Sequence, residues 1–105
     1  MLNIFVCEDN AAQRRTIVQT IQNTVLMDEL DMQLVLDAED PYVLLEKVKT
    51  SQNTGIYFLD IDLGSSMNGM KLAQQIRLFD PRGFIIFITA HSELSYMTFQ
   101  YRVEA

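Results

Sequence analysis

Short apolar runs alternate with stretches of helical periodicity along this chain. Leu2–Cys7 (LNIFVC) is apolar and β-branched and stops at Glu8-Asp9-Asn10, the pattern of a buried strand ending in a polar turn. From Ala11 to Leu26, apolar residues recur at Ile17, Ile21 and Val25, with Val18 beside them. Gln13, Arg14, Gln19 and Gln22 take the other face, so the spacing predicts an amphipathic helix with Asn10 as its N-cap. Gln33–Leu36 (QLVL) predicts a second, weaker strand. Asp40-Pro41 supplies an N-cap and a proline at the first helical position for Pro41–Thr50, with Leu44, Leu45 and Val48 inward. The turn Asn53-Thr54-Gly55 leads into the apolar run Ile56, Tyr57, Phe58 and Leu59, which ends on Asp60 and Asp62 and a loop over Gly64–Asn68. A third helix, Gly69–Phe79, has Leu72, Ala73, Ile76 and Phe79 on its apolar side and is stopped by Asp80-Pro81-Arg82-Gly83. Phe84–Thr89 (FIIFIT) reads as a strand buried on both faces, and Ser92 caps a predicted last helix over Glu93–Val103.

The order is βαβαβαβα, which implies an α/β doubly wound parallel sheet with right-handed crossovers. Strands 1, 3 and 4 are apolar throughout and therefore central; strand 2 is more polar and therefore an edge, giving the spatial order 2-1-3-4. The chain reverses direction between strands 1 and 3, where a crevice opens at their carboxyl ends. Glu8 and Asp9 end strand 1 and Asp60 ends strand 3, so three carboxylates from two segments are predicted to meet there.

Composition narrows the possibilities. The 105 residues fit one domain, and 49% hydrophobic with 21% charged residues describes a folded core rather than a disordered segment. A net charge of −6, with Arg14-Arg15 as the only basic pair, argues against nucleic-acid binding by this segment itself. The apolar stretch around Phe84–Ile88 is far too short to cross a bilayer, and no basic n-region precedes an apolar h-region in the first residues, so secretion is not expected. Cys7 is the single cysteine and reads as a small core residue in a reducing compartment, so a cytoplasmic location is expected.

Three crowded carboxylates repel one another and call for a cation or a shared proton. A hard divalent ion such as Mg²⁺ takes one or two carboxylates and completes its shell with water and phosphate oxygens. An aspartate beside such an ion can attack a phosphoryl group and become an aspartyl phosphate. Thr89, at the end of strand 4, is placed to bring a hydroxyl to the same mouth. Each residue alone has a plainer reading, since acids after strands also serve as caps and solvated turns and threonine is common at strand ends. It is their joint placement around one crevice that points to a site. His91, the lone histidine, reads as a loop residue. Tyr96, Met97, Phe99 and Tyr101 exceed what one buried helical face needs, which suggests a partner surface.

Glu8-Asp9 after strand 1, FLD ending at Asp60, Asn68-Gly69 opening a helix and Thr89-Ala90 after strand 4 resemble the receiver domain of two-component response regulators. The segments YFLDI, NGMKLAQQIR, DPRGFIIFIT and HSELSYMTFQYRVEA are similar to AgrA-type quorum-sensing regulators, in which a receiver is joined to a LytTR DNA-binding domain. The resemblance implies a flavodoxin-like receiver fold across residues 1–105 and a phosphorelay role in transcription regulation, not a turnover enzyme. It implies Asp60 as phosphoacceptor, Glu8, Asp9, Asp60 and the main chain of Asp62 as Mg²⁺ ligands, and Thr89 as the switch hydroxyl. The implied phosphodonor is a sensor histidine kinase responding to a peptide pheromone, and DNA would be reached only through a separate C-terminal domain.

One departure stands out. The family pattern has a fifth strand ending in a switch lysine, whereas Lys47, Lys49 and Lys71 all sit elsewhere. The sequence is therefore expected to be a receiver truncated at its C-terminal end, lacking the fifth strand and helix. Strand 4 would then be an open apolar edge, with homodimerisation expected through it or the last helix. Two rival readings are a haloacid-dehalogenase-type phosphatase using Asp60 and Asp62, and an inert interaction module. The phosphatase family places its DxD motif after the first strand, whereas here it follows the third and leaves Glu8-Asp9 without a role.

Overall fold

A computed structural model describes residues 1–91 and 96–99, with residues 89–91 and 96–99 described by their backbone alone. Strands β1 (Leu2–Cys7), β2 (Met32–Ala38), β3 (Gly55–Asp60), β4 (Phe84–His91) and β5 (Tyr96–Phe99) form one sheet in the order β2-β1-β3-β4-β5. Helices α1 (Ala11–Met27), α2 (Pro41–Thr50) and α3 (Gly69–Phe79) connect the first four strands. The pairs β1–β2, β1–β3 and β3–β4 are parallel, so the predicted order 2-1-3-4 holds.

Handedness distributes the helices. The α1 crossover carries the chain from β1 out to β2, whereas α2 and α3 carry it in the opposite direction, so right-handed connections put α1 on one face and α2 and α3 on the other. Strand alternation then sorts the core into two layers. Phe5, Cys7, Tyr57, Leu59, Ile85 and Phe87 face α2 and α3, where they meet Leu44, Leu45, Val48, Leu72, Ala73 and Ile76. Ile4, Val6 and Ile88 form the other layer with Ile17 of α1, flanked by half-buried Ile21, Val25, Ile56 and Phe58.

The caps follow local chemistry. Asn10, Asp40 and Asn68 each accept a backbone N–H in the first turn of α1, α2 and α3, from Gln13, Tyr42 and Lys71. At the amino end of the sheet, the buried Tyr57 hydroxyl donates to Asp80 Oδ2 at 2.7 Å, and the Gly55 N–H reaches the same oxygen at 2.8 Å. The phenol thereby keeps a partner inside the core while its ring stacks on Phe5.

Several expectations are corrected. The segment Tyr96–Phe99, expected within a last helix, is a strand antiparallel to β4, pairing Thr89 with Thr98 and His91 with Tyr96. Its Tyr-Met-Thr-Phe sequence is as suited to a strand as to a helix, and the neighbouring strand edge decides. The predicted open edge of β4 is consequently taken by β5, and His91 closes β4 rather than lying in a loop. The remaining residues of that predicted helix, Tyr101 among them, lie outside the described residues. β1 is buried on both faces, but burial of β3 and of the first part of β4 is one-sided: Phe84 is exposed, and Ile56, Phe58 and Ile86 are half-buried. One helix about 10 Å wide spans only two or three strands, and α1 lies over β1 and β2. For the same reason Ile21 and Val25 are only half-buried. Phe79, expected inward, ends α3 on the surface beneath the Lys49 ammonium, 5.4 Å from its ring centre.

Candidate functional site

The carboxyl ends of β1 and β3 are adjacent, with Cys7 paired to Leu59. Continuing the alternation, Glu8 follows Ile4 and Val6, and Asp60 follows Ile56 and Phe58, so both acids leave the sheet in the rows that face α1. Glu8, Asp9 and Asp60 come together: each brings a carboxylate oxygen to within 4.8 Å of the others. Among the described residues this is the group of acidic or metal-ligating side chains dense enough to hold an ion.

The three differ in setting. Glu8 is buried, and its carboxyl is pushed up to about 8, first by loss of solvent and then by Asp60 and Asp9, against a bond from the Asn10 N–H that favours the charged form. That bond, from Asn10 N to Glu8 Oε2, is 3.1 Å long. Asp9 is exposed and accepts the Gly64 N–H at 2.9 Å, which ties the β3–α3 loop to the first acidic turn. Asp60 is half-buried, and its Oδ1 accepts the Asp62 N–H at 3.1 Å, which orients the carboxylate. Burial, reinforced by two neighbouring carboxylates, favours the protonated form of Glu8, so the site is short of positive charge. An all-oxygen donor set of this kind fits a hard divalent cation such as Mg²⁺.

Asp62 does not join the cluster with its side chain, which is exposed; its contribution on view is the amide that holds Asp60. Thr89 lies on β4 one residue beyond Ile88, the partner of Asp60 across the β3–β4 pair. This puts its backbone at the mouth of the crevice. Cys7, beside the site but fully in the core, has its thiol pushed up to about 12 by burial and then by Asp40, Glu8 and Asp60, which disfavours the nucleophilic thiolate.

Gly69, noted in the sequence beside Asn68, shows its physical role here, whereas the Tyr42–Ser66 bond and the Arg14 contact were not foreseen. Gly69 opens α3 against the end of β3: a Cβ there would land on the Asp60 carbonyl oxygen and 2.8 Å from Ile61 Cα, while its N–H donates to Ile61 O at 3.0 Å. The Asn68-Gly69 pair read at the start of a helix was its signal in the sequence. Tyr42 and Ser66 share a hydrogen bond of 2.6 Å between their hydroxyls, which fastens the loop after Asp60 to α2. Arg14, predicted on the solvent face of α1, is half-buried and donates from NH1 to Glu8 O at 2.9 Å. Nothing in an amphipathic pattern marks such a contact.

Comparison with known proteins agrees with the geometry. The family description "Response regulator receiver domain" matches residues 4–105. Accessory gene regulator protein A of Staphylococcus epidermidis is 51% identical over 104 residues, and that of Staphylococcus aureus 46%. Each match covers 99% of this chain and 44% of the relative, so the chain spans less than half the length of these proteins. Among solved structures, the response regulator TrrA of Thermotoga maritima, in complex with Mg²⁺-BeF, superimposes with a TM-score of 0.69 at 24% identity, covering 89% of this chain and 73% of its own. The signal receiver domain of a modulated diguanylate cyclase from Desulfovibrio desulfuricans gives 0.70 at 16% identity, covering 90% and 69%. Both show the shared fold. Sequence, fold and acidic crevice agree: the chain belongs to the response regulator receiver domain family.

Proposed function

We propose that this chain is the phosphoacceptor domain of a two-component quorum-sensing regulator, receiving a phosphoryl group on Asp60 from a sensor histidine kinase. The observation that carries the proposal is the convergence of Glu8 and Asp9 on Asp60 at the carboxyl ends of β1 and β3. The AgrA relatives and the Mg²⁺-BeF complex of a fold neighbour support it.

Glu8, Asp9, Asp60 and the main chain of Asp62 would hold the ion. An ion held there would supply positive charge to offset that of the transferring phosphoryl oxygens. The Asp62 amide fixes the Asp60 carboxylate for in-line attack, the new bond forming between its oxygen and phosphorus as the bond to the donor imidazole nitrogen breaks. The imidazole takes up a proton on leaving. Thr89, next to the strand position opposite Asp60, is the proposed switch hydroxyl. The added charge at Asp60 then biases the β4 surface read by a partner or a second copy, in the cytoplasm, with DNA contacted by a separate domain. A dehalogenase-type phosphatase would need the Asp62 side chain at the centre, and that side chain is outside the carboxylate cluster.

The test is exposure of the full-length protein to a small acyl phosphate with Mg²⁺. The proposal requires a base-labile adduct of one phosphoryl group that Asp60→Asn abolishes. Steady turnover of phosphate esters dependent on the Asp62 carboxylate would replace it with the phosphatase reading.

A further inference from the structure

Arg14 makes two contacts that its place on an exposed helical face does not require. Its NH1 donates to the Glu8 carbonyl at 2.9 Å, and its Nε lies 3.4 Å from Asp37 Oδ2 near the end of β2. The same residue's backbone N–H donates to Asn10 O at 2.8 Å. Residues Glu8 to Asn10 are thus strung between two supports. On one side the Glu8 N–H donates to Ala38 O of β2 at 3.0 Å; on the other, the Arg14 guanidinium holds the Glu8 carbonyl, while the first helical backbone bond holds Asn10. Removing the guanidinium would leave the Glu8 carbonyl without this donor and let the turn pivot about the strand.

The charge of Arg14 works against the function it borders. A fixed cation near a cation site weakens binding by repulsion, so electrostatics alone would favour its absence. Its geometry has the opposite effect. A planar guanidinium can donate to a carbonyl and a carboxylate at once, in a fixed fork that an ammonium cannot reproduce. We propose that Arg14, braced by Asp37, is a positioning residue of the cation site: it sets the Glu8–Asn10 turn so that the Glu8 and Asp9 carboxylates face Asp60. This rests on reading those carboxylates as a divalent-cation site.

The two effects differ in sign, which makes the proposal testable. Mn²⁺ affinity, measured by its paramagnetic effect on water relaxation, is compared for wild type, Arg14→Gln, Arg14→Lys, Asp37→Asn and Arg15→Gln, with urea midpoints for each. Arg15 is the exposed neighbour of equal charge and controls for net charge. Positioning predicts that Arg14→Gln weakens Mn²⁺ binding about 10-fold or more, as loss of a ligand-orienting partner typically does. Lys recovers only part of that loss, Asp37→Asn gives a smaller one, and Arg15→Gln leaves binding equal or tighter. A role in stability alone would lower the urea midpoint of Arg14→Gln while its folded form bound Mn²⁺ as wild type does, and that result overturns the assignment. Tightening in Arg14→Gln overturns it too. Should Arg14→Gln not fold, Asp37→Asn decides by the same criterion. Wild-type protein that binds no Mn²⁺, or binds it equally well as Asp60→Asn, overturns the cation reading and this assignment with it.

Discussion

Replacing Asp60 by asparagine should make the metal-free protein more stable, although it removes the proposed reacting group. The substitution is nearly isosteric and keeps an Oδ1 to accept the Asp62 N–H, so the hydrogen bond at 3.1 Å survives. What changes is charge. Carboxylate oxygens of Asp9 and Asp60 lie within 4.8 Å, and two unit charges at that separation repel by about 0.9 kcal/mol in a water-like dielectric and about 3.5 kcal/mol at an effective value near 20. Glu8 is mostly protonated at pH 7, given a carboxyl pushed up to about 8, and adds little. Asp9 is exposed, which favours the lower half of the range, so the expected gain is about 1 to 2 kcal/mol. Urea unfolding at pH 7 in low salt with a chelator measures it. Saturating Mg²⁺ should shrink or reverse the gain, because the native wild type binds the ion with one more carboxylate. A variant no more stable than wild type without metal, or a gain unaffected by Mg²⁺, would refute charge crowding as the condition of this site.

Two further perturbations follow from the same geometry. The folded Glu8 carboxyl titrates at about 8 against an ordinary value of 4.5, so the native state holds a proton that the unfolded chain has lost. The contribution of this group to stability is then full below pH 4.5 and is lost as pH rises through 8, by at most about 5 kcal/mol. Urea midpoints in chelator should fall between pH 5 and pH 8, and Glu8→Gln should remove most of that slope; a slope unchanged in the variant contradicts the assignment. Gly69→Ala drives a methyl group into the Asp60 carbonyl and to within 2.8 Å of Ile61 Cα, both backbone atoms that cannot swing away. It should cost about 3 kcal/mol in unfolding experiments, and a change within experimental error would show that α3 is less tightly seated on β3 than described.

The fold was legible because local signals agreed with one another. Asp40-Pro41 marked the start of α2 to the residue, and the apolar runs placed β1 and the centre of the sheet. The more polar strand 2 beside the apolar strands 1, 3 and 4 also gave the switch point, and with it the meeting of Glu8, Asp9 and Asp60. The failures share a cause, namely dependence on what lies alongside. Tyr96–Phe99 is a strand because β4 offers an edge, and periodicity cannot report an edge. Ile56 and Phe58 are as apolar as any core residue, yet they stay half-buried because α1 covers the sheet over other strands. Arg14 sits at a helical position that reads as solvent-facing, and only the three-dimensional proximity of Glu8 and Asp37 draws it in. Asp60 and Asp62, equivalent as letters, part company for a similar reason: the strand ends at the first, and the second supplies an amide to it.

The central claim is that Asp60 accepts a phosphoryl group. It is met most directly by treating the full-length protein with an acyl phosphate and Mg²⁺, reducing the product with borohydride, and sequencing the peptide over Ile56–Gly69. Conversion of Asp60 to homoserine, dependent on the divalent ion and absent when Glu8 and Asp9 are replaced by their amides, is the predicted result. Homoserine at Asp62 or elsewhere, with Asp60 unmodified, would contradict the account.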